Sequence, residues 1–413
     1  MELGRRKKIL LVSSGQPSLN PRLVKEADIL SKAGFDVTVL YAYWNEWGTK
    51  SDETLLAEKK WKAIRVAGDP QHKTTIWFLS RLIHRTSVLL LQKTNKFNYF
   101  ADYAIARASY YLIKAAGQYP ADLYIGHNLG ALPAVAKTAA KYGKPYGFDL
   151  EDFHRQEASD DTNSYHYRIC KYIEDKYLPQ AKYLTASSPP ISDRYAALYD
   201  CDVVTLINVF PKTRLRAPVR QVEIKPLKLF WVSQTVGNNR GIERIIEAIN
   251  ISKTGAVLHL LGNITDDYKQ QLLTLAQNNG LDKNDLVFYE PVNPDEIPSI
   301  ATAFDVGMAT ETGFCLNNNL ALSNKIFSYI QSGLALAMSN TPGQSGFLEQ
   351  FPQIGKVYNT AEELAAIIQN YHQHRELLYQ TKTAAFTLGQ TGINWENESE
   401  KLLAVVNQLL DKA

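Results

Sequence analysis

Cysteine is scarce in this chain. Three cysteines stand among 413 residues, Cys170, Cys201 and Cys315, far apart and odd in number. They give no zinc-ligand spacing and no disulfide framework, which points to a reducing cytoplasm. Excess charge of one sign is also missing. Lys and Arg number 45 against 42 Asp and Glu, a formal net of +3. That is too little to argue for a nucleic-acid partner. No uninterrupted apolar run approaches the length of a transmembrane helix. The run Ile9–Val12, behind Arg5, Arg6, Lys7 and Lys8, is too short for the hydrophobic region of a signal peptide and reads as a first strand. Neither the G-x-G-x-x-G fingerprint nor a Walker loop occurs, which disfavours a dinucleotide-dependent dehydrogenase. No internal repeat of solenoid length is present.

What the chain does have is a regular alternation of strand and helix. Its length allows two or more domains, each with a full core. Lys8–Ser13 reads as a buried strand, followed by a polar loop that contains Gly15. Asn20 then caps a helix with Pro21 at its first position, Gly34 ends it, and Val37–Tyr41 is the next strand. The stretch 41–60, with Trp44 and Trp47, reads as irregular. Residues 76–91 form an amphipathic helix with Arg81, His84 and Arg85 on one face, and Lys93 and Lys96 follow. That pattern suits packing on a sheet and also suits an anionic membrane surface, so 76–96 is the candidate for peripheral membrane contact. A second helix spans 99–116. Composition shifts at 211–226, which carries Lys212, Arg214, Arg216, Arg220 and Lys225 with little apolar content and reads as a linker. A second alternation follows, so each half reads as a parallel sheet with helices on both faces. Residues 395–410 form a final amphipathic helix.

Chemistry concentrates where strands end. Val306–Asn340 reads as strand, long Asn-rich loop, short helix and strand. Ser323 is a good N-cap for that helix and Gly333 a good stop. Lys325 falls in its first turn, where a cation is unfavourable beside exposed amides and the positive end of the dipole. An anion there would remove the penalty, so Ser323, Asn324 and Lys325 form a candidate phosphate site. Arg240 opens a helix after a strand in the same way. Two cations at two helix N-termini suit a diphosphate better than either does alone. His127 ends the strand 122–126, and ligands of open α/β sheets bind outside the carboxyl ends of strands. The strand 145–149 ends in an acidic cluster, Asp149, Glu151 and Asp152, whose spacing demands no metal. Asp200–Cys201–Asp202 has a D-x-D form but precedes a strand, and reads as a turn.

Seven stretches carry a family likeness: SGQPSLNPRLVKEADILSKAGFDVTVL, GHNLGALPAVAKTAAKYGKPYGFDLEDFH, LINVFP, NNRGIERIIEAI, LHLLGN, IPSIATAFDVGMA and SNKIFSYIQSGLALAMSN. In this order the chain resembles GT-B-fold glycosyltransferases, and within them the large retaining group called glycosyltransferase family four. The resemblance implies an α/β fold of two Rossmann-like parallel-sheet domains facing across a cleft. Residues 1–210 would lie on the acceptor side, 211–226 would link, 227–390 would bind the nucleotide sugar, and a helix within 391–413 would pack back on the first domain. It also implies hexosyl transfer from a nucleotide-diphosphate donor to a surface-polysaccharide or glycolipid acceptor, with retention, without cofactor or metal, in the cytoplasm or at the inner face of the membrane. Arg240 and Lys325, with Ser323 and Asn324, would contact the diphosphate. Gly15 would approach the donor phosphates, His127 would sit near the transferring sugar, and Ser328 would face the ribose. Asp149, Glu151 and Asp152 are then acceptor-side candidates. Two departures stand out: many members carry glutamate where this chain has Ser328, and a basic residue near Gln234. They keep two alternatives open, a non-catalytic protein of this fold that binds a sugar nucleotide or a partner transferase, and a sugar-nucleotide epimerase.

Overall fold

The structure, a computed structural model, describes residues 5–94, 96–98, 100–220, 223 and 225–411. Position 95 of the expected membrane-contact stretch, Tyr99 of the expected second helix, positions 221, 222 and 224 of the expected linker and the last two residues lie outside that set. The chain divides into two compact units. One comprises Met1–Leu206 with Ser399–Ala413, the other Ile207–Glu398.

The first unit is built on seven strands: β1 Lys8–Ser13, β2 Asp36–Ala42, β3 Lys62–Val66, β4 Leu123–His127, β5 Tyr146–Leu150, β6 Tyr183–Ala186 and β7 Val203–Thr205. They pair in parallel in the order β3-β2-β1-β4-β5-β6-β7. Strands β4 and β5 are buried along their whole length, as expected for a sheet covered on both faces. The register aligns polar side chains across the sheet. Ser13 lies opposite His127, His127 opposite Asp149, and Asp149 opposite Thr185, so four polar residues form one row near the carboxyl edge.

The second unit has six strands: β8 Lys228–Thr235, β9 Val257–Asn263, β10 Leu286–Tyr289, β11 Val306–Ala309, β12 Ala335–Ser339 and β13 Gly355–Tyr358. Their order is β10-β9-β8-β11-β12-β13. Phe230 and Trp231 are neighbours in β8 and enter different hydrophobic clusters, because successive side chains leave opposite faces of a strand. Both sheets are therefore doubly wound and parallel.

Three local expectations change. The stretch 41–60 is not irregular: Glu46–Ala57 is a helix, capped by Asn45, whose side chain accepts the Gly48 N–H at 2.6 Å. Its buried residues are Gly48 and Asp52, so no apolar stripe exists in the sequence to reveal it. The second helix is broken into Ala101–Ala104 and Ser109–Ala116. The Asn-rich loop after β11 contains a short helix, Leu316–Leu320, capped by the Cys315 sulfur. The described part of 211–226 forms neither helix nor strand. It lies along the second unit, where the Thr213 hydroxyl donates to the Gln331 carbonyl and Arg220 pairs with Glu376. Asp200 takes the left-handed conformation that closes helix Pro189–Tyr199, so the D-x-D sequence is a turn.

Candidate functional site

In each sheet the winding reverses once, between β1 and β4 and between β8 and β11. Crevices for ligands form at such points, outside the carboxyl ends of the strands. The loops after these four strands carry most of the residues singled out from sequence.

In the second unit, the loop after β8 turns through Asn239 and Gly241, both at positive φ, and presents Arg240 between them. The loop is pinned from β11: the Thr310 hydroxyl donates to the Arg240 carbonyl, and the Thr312 hydroxyl to the Asn239 carbonyl at 3.3 Å. Gly241 is required here. Its φ is +73°, and an added Cβ would lie 3.0 Å from the Thr310 Cβ. Helix Ile242–Ser252 then starts with no side chain capping its first turn. Its free amides and the exposed Arg240 face the same end of the sheet.

Helix Asn324–Ser332 starts in the same way. Ser323 occupies the N-cap position, but its hydroxyl makes no capping bond. It lies instead 3.2 Å from the Lys325 Nζ. The Lys325 ammonium also donates to Glu311 Oε1 at 3.3 Å and stands 5.1 Å over the Trp231 ring. The anion that the sequence asks for beside Lys325 is thus supplied, in this state, by Glu311. The Asn-rich loop holds that carboxylate: Asn318 Nδ2 donates to Glu311 Oε2 at 2.8 Å, and the Glu311 N–H donates to the Ser339 hydroxyl at 2.8 Å. Burial would push the Glu311 carboxyl up, but Lys325, then Asn318 and Ser323, hold it below its ordinary value. The Asn324 side chain accepts from Asn208 at 3.0 Å. Ser328, one turn along, is buried. Glu311, Trp231 and Thr310 escaped the sequence reading, which took Asn318 only as part of the Asn-rich loop. The one signal for Glu311 was its place just past the end of β11.

In the first unit the polar row at the carboxyl edge becomes a charge network. His127 is 1% exposed, with Nε2 at 2.6 Å from Glu26 and Nδ1 at 3.5 Å from Asp149. Burial alone would push the imidazole down. Glu26 and Asp149 outweigh it and hold it up at about 9, so it carries a charge. Asp149 also takes a forked pair from Arg22, at 2.7 and 2.5 Å, and the Thr185 hydroxyl at 2.6 Å. Both oxygens of Asp149 are thus engaged inside the first unit. His127, expected near a sugar, is closed off in the same way. The groups at the surface are their chain neighbours. Asn128, at φ +60°, receives the Ser13 hydroxyl at 2.9 Å and donates to Glu151 Oε2 at 3.3 Å. Asn20 Nδ2 lies 3.4 Å from the same Glu151 oxygen. Glu151 and Asp152 are half-buried. Burial, then Asp152 and Asp149, raise the Glu151 carboxyl to about 7. The Gly15 N–H is spent on the Ser13 hydroxyl at 3.1 Å. Among the described residues no three His, Cys, Asp or Glu side chains gather as they would round a metal ion.

The candidate membrane segment is helix Thr74–Thr94. It is inverted relative to an ordinary surface helix. Ser80, Ser87 and Leu91 are buried, whereas Phe78 is 64%, Leu82 56% and Leu89 63% exposed. Among the described residues no helix is long and apolar enough to cross a membrane.

No family model matches the chain, and no curated protein sequence matches it. Solved structures do. HepE from Anabaena, solved in complex with UDP, aligns over 97% of this chain and 100% of its own, with a TM-score of 0.69 at 15% identity. TarM from S. aureus, a G117R mutant in complex with Fondaparinux, alpha-GlcNAc-glycerol and UDP, covers 97% and 100% with a TM-score of 0.66 at 11% identity. WaaG, described as a glycosyltransferase involved in lipopolysaccharide biosynthesis, covers 96% and 99% with a TM-score of 0.64 at 13% identity. The chain has the two-sheet α/β fold of these GT-B glycosyltransferases.

Proposed function

We propose that this chain is a glycosyltransferase that moves a sugar from a nucleotide-diphosphate donor to a carbohydrate or lipid-linked acceptor of a surface polysaccharide or glycolipid. The observation that carries the proposal is the pairing of two uncapped helix N-termini, each with its own cation, Arg240 and Lys325, after the adjacent strands β8 and β11. A departing diphosphate develops negative charge, and preorganised amides and cations stabilise that charge without reorganising. The UDP complexes of HepE and TarM make uridine the first nucleotide to test. On this reading Glu311 is a placeholder for the diphosphate at Lys325. Transfer proceeds with retention and without a cofactor or metal. Glu151 and Asp152, with Asn128, meet the acceptor, while His127 and Asp149 position them from below. Helix Thr74–Thr94 rests its exposed apolar face on the inner face of a membrane, where a lipid-linked acceptor would be met.

The test is a thermal-shift series with UDP, GDP, ADP and CMP on wild type, Lys325→Ala and Glu311→Gln. A ligand at one hundred times its Kd adds about 2.7 kcal/mol to the folded state. One nucleoside diphosphate should stabilise wild type, lose its effect in Lys325→Ala, and bind Glu311→Gln more tightly because the competing carboxylate is gone. No stabilisation of wild type by any of them at millimolar concentration would sink the proposal. A second reading, a sugar-nucleotide-binding protein without turnover, is favoured by the closed Lys325–Glu311 pair and by Ser328 in place of glutamate. Stabilisation by a nucleotide sugar that is never consumed would select it.

A further inference from the structure

Three arginines of the first unit gather with no carboxylate paired to them among the described residues. Arg81 and Arg85 come from helix Thr74–Thr94, and Arg107 from the break between Ala101–Ala104 and Ser109–Ala116. The Arg81 guanidinium lies 4.0 Å over the Trp77 ring, and the Arg107 guanidinium 5.5 Å over the Trp44 ring. Burial, then Arg107 and Arg85, push Arg81 below its ordinary value, and burial and Arg107 do the same to His84. These cations are therefore close enough to repel one another. The buried arginines of the same unit are each neutralised, Arg22 by Asp149 and Arg155 by Glu174. Arg81, Arg85 and Arg107 have no ion pair among the described residues, and the buried Nε of Arg81 has no acceptor. Arg85 and Arg107 are exposed and Arg81 is half-buried, so the buried Nε of Arg81 is the donor left open to an anion from outside, with two further guanidinium groups beside it.

The surroundings say what kind of anion. Phe78, Leu82, Arg85 and Leu89 recur at four, three and four residues, so the exposed apolar strip and Arg85 share one helix face. Trp44 lies two residues past the end of β2, and its backbone N–H donates to the Gln16 side chain, in the loop after β1, at 2.9 Å. The cluster thus borders the carboxyl edge of the sheet. We infer that Arg81, Arg85 and Arg107 hold the phosphate of a lipid-linked acceptor, whose hydrocarbon chain lies along Phe78, Leu82 and Leu89. Three guanidinium groups can meet phosphate oxygens in forked pairs, and the aromatic faces keep two of them oriented. The identity of the ligand as acceptor rests on the proposed function; the existence of the site does not.

The experiment measures binding of dodecyl phosphate, below its micelle concentration, and of inorganic phosphate by calorimetry. The proteins are wild type, Arg81→Gln/Arg107→Gln, Arg85→Gln and Leu82→Ser/Leu89→Ser. Arg85 is exposed, so its variant folds whatever the double variant does. Dodecyl phosphate should bind wild type about tenfold or more tighter than inorganic phosphate, a difference of about 1.4 kcal/mol. Both arginine variants should lose about tenfold or more for either probe, and the leucine variant only the advantage of the alkyl chain. Equal binding by wild type and Arg85→Gln would overturn the inference. So would flotation with phosphatidylglycerol vesicles, absent with phosphatidylcholine alone, in a protein that does not bind dodecyl phosphate. That result assigns the cluster to bulk lipid headgroups. UDP binding on the same preparations is independent, so loss of the donor reading leaves the arginine result standing.

Discussion

A histidine wedged between two carboxylates ties its charge to the stability of the fold. His127 titrates at about 9 in the folded protein and at 6.5 when free. Its contribution is complete below pH 6.5, falls as pH rises toward 9, and is lost above it. The slope reaches about 1.4 kcal/mol per pH unit for one proton. His154, held up at about 9 against burial by Glu157, titrates in the same window. Urea melts of His127→Gln should therefore show lower stability than wild type at pH 6 and a slope between pH 6.5 and 9 reduced by about half. An unchanged slope would mean that His127 is neutral. Lys325 shows how far single residues were legible. Its need for an anion follows from its place in a helix first turn. The identity of that anion does not, because Glu311 lies 14 positions away and only the packing of an Asn-rich loop brings it to 3.3 Å.

At the scale of elements, helix Thr74–Thr94 separates pattern from partner. A helical wheel reveals an apolar side, but the wheel is the same whether a sheet or a bilayer covers it. Here the helix packs on its neighbours Ala101–Ala104 and Ser109–Ala116, buries Ser80, Ser87 and Leu91, and leaves Phe78, Leu82 and Leu89 outside. Replacing those three with serine should move unfolding by about 0.5 kcal/mol or less at each position. Ser87→Leu should cost about 1–3 kcal/mol, since it forces extra volume into a filled space. Chemical denaturation of the two variants checks this, and the opposite ranking would mean the helix packs the other way round. Helix Glu46–Ala57 is the converse. It buries no stripe and depends on Asn45, Gln16 and Asp52 for its place, so periodicity had nothing to register.

At the scale of the molecule, both sheets are parallel and reverse their winding at one point, and both candidate sites lie there. The last helix, Trp395–Asp411, belongs to the first unit from Ser399 onward, with Leu402, Val406 and Leu410 buried. Leu402→Ala should cost about 2–5 kcal/mol in a denaturant titration. A cost near zero would show that the helix end is detachable. By itself the sequence determined the alternation of strand and helix, the two-sheet class and single caps such as that of Asn20. Those features rest on local periodicity and on backbone preferences of a few adjacent residues. Only the tertiary structure decided that Glu311 answers Lys325, that His127 and Asp149 lie beneath the surface, and that Arg81, Arg85 and Arg107 come together with no ion pair among the described residues. Each of these depends on distances between residues remote in the chain, which register and packing set.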